Sequence, residues 1–584
     1  MFLFDTLHVA ASAMNNSQLG MQVTGQNLTN AQTVGYARET LNIQTNSSRK
    51  IGNGITIGTG ASVTGITQVI DKFLEERLRN SISDSTASAT QEKYYSELEA
   101  LLNELTGYDL STSIETFFNS IDNIQNHPED VTYRQMAVEQ GLKLTQDINR
   151  ISTEIIDIQR EINSAVTNAA DDINKLLTEI NELNKNIALY ESGGVNGSSD
   201  AVGLRDQRLA ALSKLSEYIN IKTVENSQNG SVTIYCGSDI LLMDGVQNEL
   251  LVRKQYENSD SIYFAEICVK NSMTPLDIRS GNVAGLYQAN KEIMNNFSTE
   301  LDNFAAGLIN EFNNIYASGQ GLTGYTNLTS VITFDDPDIA ISVNPNLNQP
   351  ISNGGFYLQL YDPNTTTTTD YYIPVEVAQP SQIDPFSLKK SPSVAGTTVN
   401  DIMLAINSIN GISASVNSFG ELEISTGNSG LEFAFAGDTS GVLAAIGLNT
   451  FFTGNSAQSI GINQTVLNDP SKFAASQKAV GYDVDNSVKL SAMSVKPITG
   501  LDNKSVIDFY DGIISEIMLA ASTMKSIATT DSLYQASIQA QRDSISGVNI
   551  EEETILMMTY QRSFQANSKL ISIIDEMLQT LIEL

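Results

Sequence analysis

The sequence predicts a multidomain α+β protein: N- and C-terminal helices forming a coiled coil, an elongated helical bundle, and β-rich inserts. Three observations carry that expectation. The chain has 584 residues, which at roughly 150 residues per domain means about three or four domains. Its prolines are absent before Pro128 and after Pro497, and eight of the twelve fall between Pro337 and Pro392. Proline breaks helix interiors and central strands, so long helices belong at the ends and short strands and turns at the centre. Finally, apolar residues at both ends recur at alternating steps of three and four, which is the period of a helical seam.

At the N-terminus that seam reads Leu3, Leu7, Ala10, Met14, Ser17, Met21, Thr24, Leu28 and Ala31. Gly20 and Gly25 weaken the helix without breaking the pattern, and Gly35 is the expected stop. The C-terminal seam is Met557, Tyr560, Phe564, Asn567, Ile571, Ile574, Leu578 and Leu581. Asn567 interrupts it, as either a buried residue fixing register or a solvated one at a frayed contact. Leu570, Ile573, Met577 and Leu584 widen the apolar stripe, so more than one neighbour is expected. Isolated helices of this kind are marginal in water and gain their stability from packing. The candidate assembly interface is therefore Leu3, Leu7, Ala10, Met14, Met21, Leu28, Met557, Tyr560, Phe564, Asn567, Ile571, Ile574, Leu578 and Leu581.

Between the ends, helical spacing covers segments of residues 70–127, then 131–191, 201–218, 285–317 and 501–544. In the long segment two successive steps of four, from Ala165 to Ile173, read as a stutter. Residues 221–275 alternate as strands, with Val232 and Ile234 in one and Ile262, Phe264, Glu266 and Cys268 in another, and Asp244-Gly245 marks a hairpin turn. Residues 330–470 hold the threonine tract 365–369, strand runs at 422–424 and 431–435, and a short helix at 399–409. The expected division is 1–45 with 545–584 as the terminal coiled-coil domain, and 46–220, 276–330 and 471–544 as a helical rod. A small β insert spans 221–275 and a β-rich domain 331–470.

Composition excludes several functions. Lys and Arg number 33 and Asp and Glu 67, a net charge of −34. That excess disfavours nucleic acid, whose binding rests on basic side chains neutralising phosphates, and a polybasic membrane patch. The chain has two His (His8, His127), two Cys (Cys236, Cys268) and no Trp, so no cofactor or metal is expected. Both thiols fall in strand-like stretches, where a small buried hydrophobe is the common role; whether they pair is left open by the sequence. The glycine run 52–60 lacks phosphate-loop spacing and reads as a turn between short strands. The acidic and amide loop 196–200 lacks the calcium-loop spacing. No G-x-S-x-G elbow occurs and the two histidines are poorly placed for a triad, so no enzyme is expected. The first basic residue is Arg38 and no apolar run follows the N-terminus, so a cleaved secretory signal is not expected.

Several segments carry a resemblance. Residues 27–38, from Asn27 to Arg38, resemble the N-terminal signature of the rod, hook and hook-associated family of bacterial flagellar axial proteins, with Val34 where that motif more often has Pro. Residues 560–569 resemble its C-terminal counterpart. Internal segments resemble the hook-associated members: Gly52-Asn53-Gly54-Ile55 leading to Asp71-Lys72-Phe73-Leu74, Phe117-Phe118-Asn119 leading to His127-Pro128-Glu129-Asp130 and Arg134, Leu204-Arg205-Asp206-Gln207-Arg208, 280–286 and 438–454. A departure is Ile315-Tyr316-Ala317-Ser318-Gly319, where the family often has His near Tyr316.

The resemblance implies a structural part at the junction between flagellar hook and filament. The terminal helices would line the inner tube and the β inserts the outer surface. The implied partners are further copies of the chain in a ring, the hook protein, hook-associated protein 3, and an export chaperone on the C-terminal helix. Export would follow the flagellar type III route to an extracellular position, without a cleaved signal. Two other readings are a hook or other axial protein, and a secreted adhesin using the threonine-rich β domain. An extracellular hydrolase comes third.

Overall fold

The computed structural model describes residues 2–583 except 34, 52–54, 103–108, 192–200, 257–262, 345–346, 348, 379–395, 428–429 and 482. The 196–200 loop, Ile262 and Leu584 therefore lie outside the described residues. In chain order the helices are α1 (Phe2–Asn30), α2 (Lys72–Leu102), α3 (Leu110–Asn126), α4 (Val131–Glu191), α5 (Val202–Tyr218), α6 (Asn282–Gln288), α7 (Asn295–Tyr316) and α8 (Val399–Asn407). They continue with α9 (Val442–Ala445), α10 (Gln464–Asn468), α11 (Asp485–Ser491), α12 (Val506–Ser546) and α13 (Ile550–Glu583). The protein is a mixed α+β fold with a long C-terminal helix. It falls into two compact units: unit 1 is Met1–Tyr94, Gln159–Glu292 and Ser522–Leu584, and unit 2 is Tyr95–Ile158 and Ile293–Ala521.

In unit 1, β1 (Glu39–Thr45) pairs antiparallel with β4 (Ala61–Gln68), and between them β2 (Arg49–Ile51) and β3 (Ile55–Ile57) form a small hairpin. The four-stranded sheet is β5 (Lys222–Glu225), β6 (Val232–Cys236), β7 (Asp239–Met243) and β8 (Val246–Gln247), with β9 (Leu250–Tyr256) and β10 (Tyr263–Val269) as a separate pair. Asp244 (φ 47°) and Gly245 (φ 82°) make the two-residue turn between β7 and β8, where two successive left-handed residues match the twist of the strands. In β10 the buried side includes Ala265, Ile267 and Val269, so the Phe264-Glu266-Cys268 alternation picks the less buried face apart from Cys268 itself. Both cysteines are free and buried.

The 280–286 motif has a physical reason. Gly281 has φ +92°, and a Cβ there would meet the Tyr218 carbonyl carbon and oxygen at 2.5 Å. One turn on, a Cβ on Gly285 would meet the Ala87 carbonyl oxygen at 2.7 Å. Gly281 thus lets the chain pass against the end of α5 and Gly285 lets α6 lie directly on the α2 backbone, the second contact being secured by the Ser83–Ser280 hydroxyl bond at 2.7 Å and Gly281 N–H donating to Ser83 O at 2.9 Å.

In unit 2, β12 (Gly354–Asp362) lies between β13 (Thr367–Val375) and β16 (Glu432–Ala436), while β15 (Glu421–Ser425) lies between β11 (Asn327–Thr333) and β14 (Ser413–Val416). The short β17 (Phe452–Thr453) pairs with β18 (Gly461–Ile462). Phe356, Leu358, Ile402, Ile406, Leu422, Ile424, Phe433 and Phe435 share one core here. A second, aromatic core gathers Phe117, Phe312, Tyr316, Phe451, Phe452 and Phe473. The 438–454 motif feeds it: Asp438 Oδ1 accepts from the N–H groups of Ser440 and Gly441, and Asn313 Oδ1 accepts from Phe451 and Phe452 N–H, each at 3.0 Å. Thr365 and Thr366 form the exposed turn between β12 and β13, with Thr366 at φ 55°.

Candidate assembly interface

Helices α1 and α13 pack against each other within unit 1, and contacts that descend along α13 as they ascend along α1 make the pair antiparallel. Ser17 Oγ donates to Ser563 Oγ at 3.1 Å. Gly20 faces the Tyr560 ring so closely that a Cβ would sit 2.6 Å from it. Met557 Cε lies 3.9 Å from the position of a Cβ on Gly25. Asn27 Nδ2 donates to Glu553 Oε2 at 3.0 Å. The buried stripe of α1 is therefore made of small and polar residues, Ala10, Ser17, Gly20, Thr24 and Asn27, with Val23.

The residues singled out by periodicity distribute as follows. Ala10 and Ile574 are buried. Leu3, Leu7, Met14, Met21, Leu28, Met557, Tyr560, Phe564, Asn567, Ile571 and Leu578 are half-buried, and Leu581 is 58% exposed. Ile550, Ile555, Met558, Leu570, Ile573 and Met577 also stand exposed on α13. Asn567 does not bond across to α1: its Nδ2 donates to the Ser563 carbonyl of its own helix at 2.9 Å. The register-fixing amide is instead Asn27. The N-terminal helix also ends earlier than the glycine signal suggested, at Asn30, and Gly35 (φ +83°) serves a turn beyond it.

A polar latch sits where α1, β1 and α13 meet. Asn27 Nδ2 donates to the Glu39 carbonyl at 2.9 Å, while its Oδ1 accepts from the Tyr36 hydroxyl and the Glu39 N–H, each at 2.9 Å. Every hydrogen-bonding capacity of the amide is engaged by these bonds and Glu553. Arg38 Nε donates to Glu553 Oε1 at 2.8 Å. Nearby, Arg542 donates to Glu75 at 2.9 Å, to the Gly35 carbonyl at 2.8 Å and to the Tyr36 carbonyl at 3.2 Å. Asp206 closes the group, its Oδ1 accepting from Gln68 Nε2 at 2.6 Å and Ala37 N–H at 3.3 Å, with its Oδ2 buried and unpartnered. Burial pushes the Asp206 carboxyl up to about 7, aided by the charge of Glu39 and opposed by the Ala37 and Gln68 bonds. Burial also raises Glu39 and Tyr36. The latch residues from Asn27 to Arg38 are the N-terminal signature segment, but nothing in their spacing points to Glu553 or Arg542.

His8 is exposed and His127 stacks on Tyr133, ring centroids 4.4 Å apart. Among the described residues no group of three His, Cys, Asp or Glu side chains is placed to hold a metal. No described helix is long and apolar enough to cross a membrane.

Residues 95–329 match the helical domain of flagellar hook-associated protein FlgK, and residues 539–584 match the C-terminal domain of the flagellar basal body rod FlgEFG proteins. Flagellar hook-associated protein 1 of Bacillus subtilis is 22% identical over 99% of this chain and 98% of its own length. End to end, the chain is similar to flagellar hook-associated protein 1. Proteins of that name from Salmonella typhimurium (22% identical, 98% of this chain, 99% of theirs) and Escherichia coli (21%, 98% of each) align over the same extent. The structure of the flagellar hook junction protein FlgK from Burkholderia pseudomallei aligns with 81% of this chain and 100% of its own, at 14% identity and a TM-score of 0.48. The rod-type C-terminal match covers all of α13 and the last turns of α12, so the helix that carries the latch partner Glu553 lies in the part similar to the C-terminal domain of the rod proteins.

Proposed function

We propose that this chain is a structural component of the bacterial flagellum that adapts hook to filament and is required for filament assembly; it is not an enzyme. The observation that carries this reading is the alignment with hook-associated relatives over 98–99% of the chain, ends and centre alike. Within it, residues 1–45 and 545–584 form a terminal coiled-coil domain lining an inner tube, residues 46–220, 276–330 and 471–544 the rod, and 221–275 and 331–470 the β inserts. The terminal residues Leu3, Leu7, Met14, Met21, Leu28, Met557, Tyr560, Phe564, Asn567, Ile571, Leu578 and Leu581 make the contacts of the assembly, while Ala10 and Ile574 are already buried within their own chain. The apolar residues left exposed on α13 support this, since such a stripe gains stability only when covered.

The partners are other copies of the chain, the hook protein, hook-associated protein 3 and, before export, a chaperone on the C-terminal helix. The chain leaves the cell by the flagellar export route without a cleaved signal and resides outside it. A strain lacking the chain should make hooks without filaments and shed flagellin into the medium. The full chain should restore filaments and one lacking 545–584 should not. Filaments of normal length on the deletion strain would overturn the reading.

A further inference from the structure

Tyr357 on β12 and Tyr372 on β13 stand directly opposite each other in the antiparallel pair, their ring centroids 5.2 Å apart. Opposed side chains of neighbouring strands share one face of the sheet. Here it is the solvent face, with Tyr357 42% and Tyr372 52% exposed. Both rings are held in place. A Cβ on Gly355 would lie 2.6 Å from the Tyr372 hydroxyl oxygen and 2.7 Å from its Cζ, so the ring depends on the bare backbone of that glycine. Its hydroxyl donates to the Gly354 carbonyl at 3.1 Å. On the other side of the pair, a Cβ on Gly437 would lie 3.4 Å from Tyr357 Cδ2.

The rest of the chain leaves one-electron oxidation to tyrosine. There is no Trp, and Cys236 and Cys268 are both fully buried. Burial raises both thiols, which disfavours the readily oxidised thiolate. Among the ring contacts of the described residues, two join tyrosine to tyrosine. In the other, between Tyr256 and Tyr263, the centroids are 6.0 Å apart and Lys254 Nζ lies 4.3 Å from the Tyr263 centroid. A cation over a ring is attracted to its electrons and opposes the removal of one. Tyr372 has the opposite neighbour: Asp370, two residues back along β13 and therefore on the same face, is exposed and anionic. A negative charge there favours the loss of an electron and can receive the phenol proton.

We propose that Tyr357 and Tyr372 are a site of oxidative cross-linking, joined as dityrosine by a one-electron oxidant, a haem peroxidase supplied with hydrogen peroxide. Each phenol gives up one electron and one proton. The two phenoxyl radicals form a carbon–carbon bond between ring positions ortho to oxygen, and the hydrogen on each of those carbons moves to its own oxygen as the rings regain aromaticity. The two electrons and two protons reduce hydrogen peroxide to two waters. The rings meet by turning about their side-chain bonds, since the outer aromatic torsion is soft, and the strands stay where they are. Because β13 is the outer strand of its sheet, the link fastens that edge to β12.

The test treats the purified full chain with a haem peroxidase and hydrogen peroxide, cleaves it at Asp362 and Asp370, which lie between the two tyrosines, and analyses the fragments by mass spectrometry. The expected product is a fragment pair joined through Tyr357 and Tyr372 and lighter by two hydrogen atoms, from a chain that still runs as a single copy. The product should be lost in Tyr357→Phe and in Tyr372→Phe, which keep the ring and its packing. In urea, where the strands no longer hold the rings together, it should fall to the level of other tyrosine pairs. No dityrosine, links only between separate chains, a Tyr256–Tyr263 link in greater yield, or a 357–372 yield indifferent to urea would each overturn the proposal. The purified chain alone is used, so the outcome is independent of the flagellar reading.

Discussion

Gly20→Ala sets two effects against each other on α1. Alanine is favoured over glycine in a helix interior by about 1 kcal/mol. A Cβ at position 20, however, would lie 2.6 to 2.7 Å from three ring atoms of Tyr560. Carbon atoms rest at roughly 3.5 to 4.0 Å, so the ring or the helices must give way by about 1 Å. Overpacking a tight contact costs about 1 to 3 kcal/mol. The packing effect wins, and the α1–α13 pair loses up to about 2 kcal/mol, a factor of up to about 30 in its opening equilibrium. Amide hydrogen exchange along α1 in the purified full chain reads this local opening directly, where a global unfolding midpoint would mix in unit 2. Protection across residues 10–27 should fall, and in the Tyr560→Ala background the added methyl should keep only its helix-propensity gain, giving a coupling of about 1 to 3 kcal/mol. Higher protection in Gly20→Ala alone would mean that the ring swings aside freely and that the glycine does not set the spacing of the two helices.

Glu553→Ala should cost about 3 to 5 kcal/mol in the same exchange measurement, because it strips Asn27 and Arg38 of a buried anionic partner. Asp206, raised by burial from its ordinary 3.8 to about 7, binds its proton more tightly folded than unfolded. Its contribution is fully present at acid pH and is lost as pH rises through about 7; exchange protection of the 35–39 amides should therefore weaken from pH 5 to 8, and Asp206→Asn should flatten that profile. Arg134, buried and donating to the Phe473 and Pro128 carbonyls, should on replacement by Met cost about 1 to 3 kcal/mol in urea unfolding, because the Pro128 carbonyl loses this donor while the Phe473 carbonyl keeps only the Ala475 N–H. Gly281→Ala should lower the thermal midpoint by several degrees, since a Cβ there has φ +92° and the Tyr218 carbonyl at 2.5 Å against it.

Local periodicity was enough for the long helices. The 131–191 reading and the Val131–Glu191 helix coincide, because 61 residues without proline and with apolar steps of three and four, interrupted only by the stutter at Ala165 to Ile173, leave one regular solution. The hairpin at Asp244-Gly245 and the helix at Val399–Asn407, with its Thr398–Asp401 capping box, were legible for the same reason: turn and cap chemistry is written in adjacent residues. The 285–317 segment hid its interruption, a π-helical stretch at Ala289–Met294, since one inserted residue barely disturbs the apolar spacing. Least legible was the latch. Asn27 and Glu553 are 526 positions apart, and no pattern local to either end records that one is the other's partner. Gly20 was misjudged for a related reason: as part of α1 it is a propensity cost, and only the Tyr560 ring across from it turns it into a fitted contact.

The latch also bears on why the terminal seams look incomplete in one chain. A leucine-on-leucine interface would let α13 slide along α1 by a turn at small cost, as apolar contacts are non-directional. A buried glutamate between an amide and a guanidinium does not permit that, because a one-turn slip of about 5.4 Å breaks both bonds and leaves the carboxylate buried and unpaired. Small residues at Ala10, Ser17 and Gly20 then let the helices approach closely while contributing little apolar area of their own. Register is thus set from within the chain by polar groups, and the larger apolar side chains, Ile555, Met558, Leu570, Ile573 and Met577, are left on the outside of α13. A helix built this way has its position fixed by polar groups of its own chain and leaves large apolar side chains exposed, the surface that neighbouring subunits would cover under the proposed function.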